Sequence, residues 1–236
     1  MSGHSKWAQI KRTKGAADVK KGALFSKLSK QITIAAKNGA SPDTNFKLRL
    51  AIQKARENAM PNDNIERAIK KASGADAGNI QTLQYEGYGP SATAFIVEAA
   101  SDNPNRTFQN IRTIFTKNGG NIGQPGSVAW QFQTKGQILI ERTNDLTNIE
   151  LTAIDAGADD VRESAEGLEI YTKPEDLERI KNTLTEKGAK IAQAEIIMES
   201  SQGVDLASEQ IPAVQKLFDA LSDDEDVVAV HTSANL

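Results

Sequence analysis

The stretch GQILIERTNDLTNIELTAIDAGADDVRESAEGLEIYTKPEDLERIKNTLTEKGAKIAQAEIIM, residues 136–198, decides how this chain folds. Ile138-Leu139-Ile140 is a short apolar run bounded by polar residues, which predicts a strand. Thr147 to Ala156 has helical spacing, Val161 lies near a second strand, and Leu168-Glu169-Ile170-Tyr171 is a third. Pro174 to Lys187 reads as a helix with proline in its first turn, and Lys190 to Met198 as a last strand. The order is β-α-β-β-α-β, that of a ferredoxin-like unit, which needs no strand from outside.

Working outward, the flanks look incomplete by themselves. Upstream, Leu83-Gln84-Tyr85-Glu86 and Thr93-Ala94-Phe95-Ile96-Val97 flank Gly87-Tyr88-Gly89-Pro90 as a hairpin. A helix follows from Asn103-Pro104-Asn105 to Asn118-Gly119-Gly120, with Phe108, Ile111, Ile114 and Phe115 inward. Ser127 to Gln133 alternates, with Val128, Trp130 and Phe132 on one side, and predicts another strand. Downstream, Ile211 to Leu221 reads as a helix and Val227 to Val230 as a strand. A lone α-β pair cannot bury itself. The economical reading is one α/β domain of residues 80–133 plus 204–236, with a ferredoxin-like domain of residues 134–203 inserted in it. Leu217, Phe218 and Leu221 would then pack on Phe108, Ile111 and Phe115 or the sheet beneath them.

Residues 1–79 read as a basic arm and a helical domain. From Lys20 to Asn38, Leu24, Phe25, Leu28, Ile32, Ala35 and Ala36 fall within roughly 120° of a helical wheel, an amphipathic face. Lys20, Lys27, Lys30 and Lys37 fall on a neighbouring arc of about 100°. Leu48, Ala51, Ile52, Ala55 and Ala59 mark a second helix with Asn45 as cap, broken at Met60-Pro61. Asp63-Asn64-Ile65-Glu66 resembles a capping box for a third, with Ile65, Ala68, Ile69 and Ala72 inward. The predicted fold class is therefore α+β in three domains.

Charge is unevenly spread. Residues 1–72 hold 16 basic and 5 acidic groups, residues 135–200 hold 8 and 15, and residues 201–236 hold 1 and 7, yet the chain as a whole carries −3. A basic end on an acidic molecule points to a polyanion, and the commonest large one is nucleic acid. Trp7 lies inside the basic run, where a ring among lysines suits stacking on an unpaired base. The competing reading is a solvated tail whose tryptophan packs on its own domain. The expected nucleic-acid contacts are His4, Ser5, Lys6, Trp7, Lys11, Arg12, Lys14, Lys20, Lys21, Lys27, Lys30 and Arg106, the last beside a helix N-terminus.

Catalytic signals are sparse. The two histidines, His4 and His231, stand at opposite ends, and no HExxH, GxSxG or Walker pattern occurs. Gly119-Gly120-Asn121-Ile122-Gly123-Gln124-Pro125-Gly126 lacks the Lys-Ser/Thr of a phosphate loop and reads as a helix stop and strand-joining loop. Asp159-Asp160 and Asp223-Asp224-Glu225-Asp226 are clustered carboxylates, read as solvated charge before a divalent-ion site. No cofactor and no metal is expected. No run of 18 apolar residues, no apolar leader and no cysteine are present, which is consistent with the cytosol.

Several phrases in order along the chain carry a resemblance. They are Gly3-His4-Ser5-Lys6-Trp7, Ala59-Met60-Pro61-Asn62-Asp63-Asn64-Ile65-Glu66-Arg67-Ala68-Ile69 and Tyr85-Glu86-Gly87-Tyr88-Gly89-Pro90. Ser101-Asp102-Asn103 with Asn105-Arg106-Thr107, Gly119-Gly120 through Gly126-Ser127-Val128, and Ala156-Gly157-Ala158 with Asp160-Val161 complete the set. The chain resembles the YebC/PmpR family over nearly its whole length. Departures are Lys20-Lys21 where Lys-Arg is frequent, Gly39-Ala40-Ser41-Pro42 in a usually glycine-richer loop, and Pro104 where arginine is common. The resemblance implies a cytoplasmic, three-domain, non-enzymatic protein that binds DNA and regulates transcription. Related proteins, mitochondrial ones included, imply an alternative, a translation factor that binds RNA at the ribosome and helps proline-rich stretches. No helix clusters base-reading Arg, Asn and Gln on one face, so backbone and shape recognition is expected.

Overall fold

The structure, a computed structural model, describes residues 21–73, 80–143 and 145–235. Helices α1 (Lys21–Ala36), α2 (Phe46–Glu57) and α3 (Asn62–Ser73) come first. Then follow β1 (Gln81–Tyr88), β2 (Ala94–Ser101), α4 (Pro104–Lys117) and β3 (Asn121–Ile122). The next run is β4 (Phe132–Glu141), α5 (Leu146–Asp155), β5 (Asp160–Glu163), β6 (Gly167–Thr172), α6 (Leu177–Glu186) and β7 (Ile191–Ser200). The chain closes with α7 (Ile211–Asp223) and β8 (Val227–Thr232). Among the described residues there are seven α-helices and two four-stranded sheets whose strand pairs are all antiparallel, an α+β protein. They fall into two compact units, one of residues 132–201 with Asn235, the other of residues 21–131 and 202–234.

The first unit has the strand order β5-β6-β4-β7. Along the chain that is second, third, first, fourth, the ferredoxin-like arrangement. Ile138, Ile140, Leu168 and Ile170 of its strands and Ile149, Leu177, Ile180 and Leu184 of its helices are buried. β4 begins at Phe132, earlier than the apolar run suggested, because Phe132 to Lys135 pair with Ser200 to Ile197. α6 begins at Leu177, after the turn that holds Pro174.

In the second unit the order is β3-β1-β2-β8. β8 pairs along β2, and Val214, Leu217 and Leu221 of α7 are fully buried. Phe95 and Phe115 meet edge to face at 6.1 Å, which sets α4 on one face of the sheet. Glu86, Ile96 and His231 share a register and belong to the opposite face. Glu98 belongs to that face too, and the charge of Lys47 on α2 draws its carboxyl down against the burial that pushes it up. α1 packs on β2 and β8, and its Gln31 Nε2 donates to the Val228 carbonyl at 2.8 Å.

The three helices have their own core of Leu28, Ile32, Leu48, Ile52, Ala55, Ile65 and Ala68, closed by Met60. Asn45 caps α2 as read from the sequence, accepting from Leu48 N at 3.1 Å. Its amide nitrogen also donates to Ala35 O and Gly39 O, both at 2.7 Å, so one buried side chain ties the α1 end to the α2 start. α3 departs from the capping-box reading. Asn64 N and Ile65 N bond the Pro61 carbonyl, so the helix begins at Asn62 and Asp63 lies within its first turn.

The sequence-derived strand over Ser127 to Gln133 is the main correction. Ala129–Gln131 is a 3₁₀ turn and only Phe132 onward is strand. The third strand of that sheet is instead Asn121–Ile122, inside the glycine-rich stretch, paired with Gly87 and Tyr88.

Candidate nucleic-acid interface

α1, α3, the start of α4 and the α7–β8 turn enclose a cleft of about 800 Å³. Its organising group is Asp226, which is 4% exposed. The local sequence brings four donors to this carboxylate. Asn103 caps α4, accepting from Arg106 N at 3.1 Å, and Pro104 occupies the first turn. That start aims the Arg106 guanidinium at Asp226 (3.1 Å) and Asp102 (3.2 Å). Thr107 Oγ1 donates to Asp226 at 2.7 Å and Ser101 Oγ at 3.2 Å. Lys30 reaches it from α1 at 2.7 Å and also donates to the Glu225 carbonyl at 2.8 Å. Burial pushes the Asp226 carboxyl up, but the bonds from Lys30, Thr107 and Arg106 outweigh it and hold the group down at about 2. A carboxylate so filled by donors is an ion-pair hub that joins α1 to α4 and the end of β2.

Of the residues expected from sequence to contact nucleic acid, His4, Ser5, Lys6, Trp7, Lys11, Arg12, Lys14 and Lys20 lie outside the described residues. Lys21 is exposed at the start of α1. Lys27, Lys30 and Arg106 come together on the Ser222–Asp226 turn. Lys27 Nζ donates to Ser222 O at the C-terminal end of α7, where helix carbonyls lack helical partners. Two cations that sequence reasoning passed over, Arg67 and Lys71 of α3, line the same cleft with Asn64. Their signal was an i,i+4 spacing beside the apolar face. Lys30, Arg67, Lys71 and Arg106 face Asp102, Asp224, Glu225 and Asp226, so the cleft itself is balanced in charge. The surplus lies on the helices around it, since residues 21–73 hold 11 basic and 4 acidic groups.

Comparison with known proteins matches both ends of this architecture. Residues 5–75 match the TACO1/YebC protein N-terminal domain, and residues 80–234 match the TACO1/YebC second and third domain. The chain belongs to the TACO1/YebC family. A "probable transcriptional regulatory protein" of Bacillus licheniformis is 47% identical over all of both chains. One of the same name from Clostridium tetani is 46% identical over 99% of this chain and 97% of its own. The crystal structure of a "conserved hypothetical protein" from Aquifex aeolicus superposes with a TM-score of 0.84 at 37% identity, covering 92% of this chain and 91% of that one.

The phrases that carried the resemblance to YebC have physical work within the second unit. Glu86, 6% exposed, accepts from Gly126 N at 2.7 Å and from Val128 N and Ala129 N at 2.8 Å. Burial pushes its carboxyl up, but these three backbone donors prevail and bring it below the ordinary glutamate range. Tyr88 OH donates to Ser127 O at 2.9 Å. Gly87 must be glycine, since a Cβ there would sit 2.7 Å from Asn121 O and 2.8 Å from the Phe115 ring. Gly126 has φ 86°, a left-handed backbone that lets the loop bring three N–H groups to the carboxylate. Thus Tyr85–Pro90 and Gly119–Val128 are two halves of one device, a loop anchored on a buried glutamate.

Proposed function

We propose that this chain is a non-enzymatic regulator of gene expression that binds nucleic acid, a cytoplasmic DNA-binding transcriptional regulator. The observation that carries this reading is charge segregation. Residues 1–72 carry +11, whereas residues 135–200 carry −7 and residues 201–236 carry −6. A polyanion is drawn to the basic N-terminal stretch and repelled by the acidic residues 135–200, while part of the negative charge of residues 201–236 is already paired with Lys30 and Arg106. The hub at Asp226 supports a positioning role, tying α1 to α4 and the end of β2. The names of the relatives support regulation of transcription. Among the described residues no helix is long and apolar enough to cross a membrane.

A second reading, a translation factor acting on RNA at the ribosome, is favoured by one feature: Trp130 is 67% exposed. An open aromatic ring suits unpaired bases, which RNA offers and duplex DNA does not. The experiment is a paired binding assay at physiological salt, with promoter fragments of the organism's own DNA in one arm and purified ribosomes in the other. Retention of promoter DNA in preference to ribosomes is the expected result. Selective sedimentation with ribosomes supports the second reading, and retention by neither overturns both.

A further inference from the structure

Trp130 stands on a loop that is held rigid for no purpose its own packing explains. Among the described residues the indole is the most exposed of the large apolar side chains at 67%, so its burial contributes little to the core. Yet the loop beneath it is fixed at every step. Glu86 takes the backbone N–H groups of Gly126, Val128 and Ala129. Val128 is fully buried. Tyr88 OH and Trp130 Nε1 both donate to the Ser127 carbonyl, at 2.9 and 3.1 Å. The indole N–H is therefore satisfied within the loop, and what the side chain presents outward is its ring.

The surroundings say what kind of ligand such a ring takes. From Asn118 to Gln131 there is no charged residue, while Asn121 and Gln124 are exposed amides. Amides can both donate to and accept from base edges, whereas the loop offers no charge to attract a phosphate. Glu86, which anchors the loop, shares its sheet face with Glu98, on which the charge of Lys47 acts, and the sheet's β2 and β8 carry α1. A strand running over those helices would have its phosphates held by lysine and arginine.

We propose that Trp130 is a stacking platform for one unpaired nucleobase, with the amides of the 118–131 loop reading its edge. This rests on the nucleic-acid reading of function and adds the form of ligand, single-stranded or locally opened. Fixing the ring before binding lowers the ordering cost of the contact, and stacking on an aromatic ring tolerates any base.

The test uses the full chain carrying Trp7→Phe, so that Trp130 is its only tryptophan. Oligo(U) of about 20 nucleotides and a duplex of equal length are titrated while indole fluorescence is read. Quenching by oligo(U) and little by the duplex is expected. Trp130→Ala should weaken oligo(U) binding about 10-fold or more, and Trp130→Phe should recover most of it, with the salt dependence and melting temperature unchanged. Salt-dependent binding that is blind to Trp130→Ala, without quenching, overturns the platform and leaves the nucleic-acid reading standing. Absence of binding to either strand form overturns both. A melting temperature lowered by Trp130→Ala, or a dimer dispersed by it in sedimentation, overturns the platform in favour of a structural or self-association role.

Discussion

Asp226 carries much of what the structure adds at the scale of single residues. Lys30, Arg106, Thr107 and Ser101 lie on three elements separated by up to 196 positions from it, and each bonds it. Its folded carboxyl is held at about 2 against an ordinary 3.8. A depressed carboxylate stabilises the fold above its unfolded value, and that contribution fades as pH falls from about 3.8 toward 2. The shift amounts to about 2 kcal/mol at neutral pH. Asp226→Asn should therefore lower the urea-unfolding free energy by about 2 kcal/mol at pH 7, with the gap to wild type closing as pH approaches 2. A gap that stays constant with pH would mean that the ion pairs contribute nothing. None of this was legible in the sequence, where Asp223-Asp224-Glu225-Asp226 looks like one uniform acidic run. Only the pairing of β8 with β2 turns the fourth carboxylate inward. For the same reason Lys27 and Lys30, read as an outward stripe, are held on the turn 222–226.

At the scale of elements, periodicity was a good guide wherever an apolar face meets a core. The inward faces of α1 to α3 and the β-α-β-β-α-β order were readable because burial repeats at 3.6 or 2 residues. Ser127 to Gln133 shows where that rule fails. Val128 and Phe132 are buried but Trp130 between them is exposed, so the period-2 alternation placed Trp130 on the wrong side as well as naming the wrong structure. The backbone N–H groups there bond Glu86 instead of a neighbouring strand, a partner that sequence distance conceals. The glycine-rich stretch hid β3 for a related reason, since two residues are too few to show a period. The element boundaries also carry a prediction about folding units. We expect a fragment of residues 132–201 to give a dispersed amide spectrum alone, because its sheet and helices are complete. Starting it at 136 would strip Phe132 to Lys135 from the β7 pairing and weaken it. Removing 202–236 from the full chain should unfold the β1–β2–α4 part, since Val214, Leu217 and Leu221 each stand to lose about 1.5–3 kcal/mol of burial. A collapsed spectrum for the fragment, or a shortened chain that melts as wild type does, would count against this division.

On the scale of the whole molecule, charge segregation was legible from the first because it needs no geometry. What the sequence could not give is how the cations are held. The helical part of the second unit keeps a surplus of +7 over residues 21–73, and some of its lysines are tied to the molecule's own acidic turn. Binding by this protein should therefore be governed by counterion release from the arm and the outer faces of the helices, without base-specific reading from the cleft. The most direct test is the salt dependence of affinity for a fixed DNA duplex, measured by anisotropy on wild type and on Lys11→Ala/Arg12→Ala/Lys14→Ala. If about five phosphates are neutralised, log K should fall against log salt with a slope of about −4.5, roughly 500-fold between about 50 and 200 mM, and the triple variant should flatten the slope by about 2–3. A near-flat response in wild type, or a slope that the triple variant leaves unchanged, would contradict it.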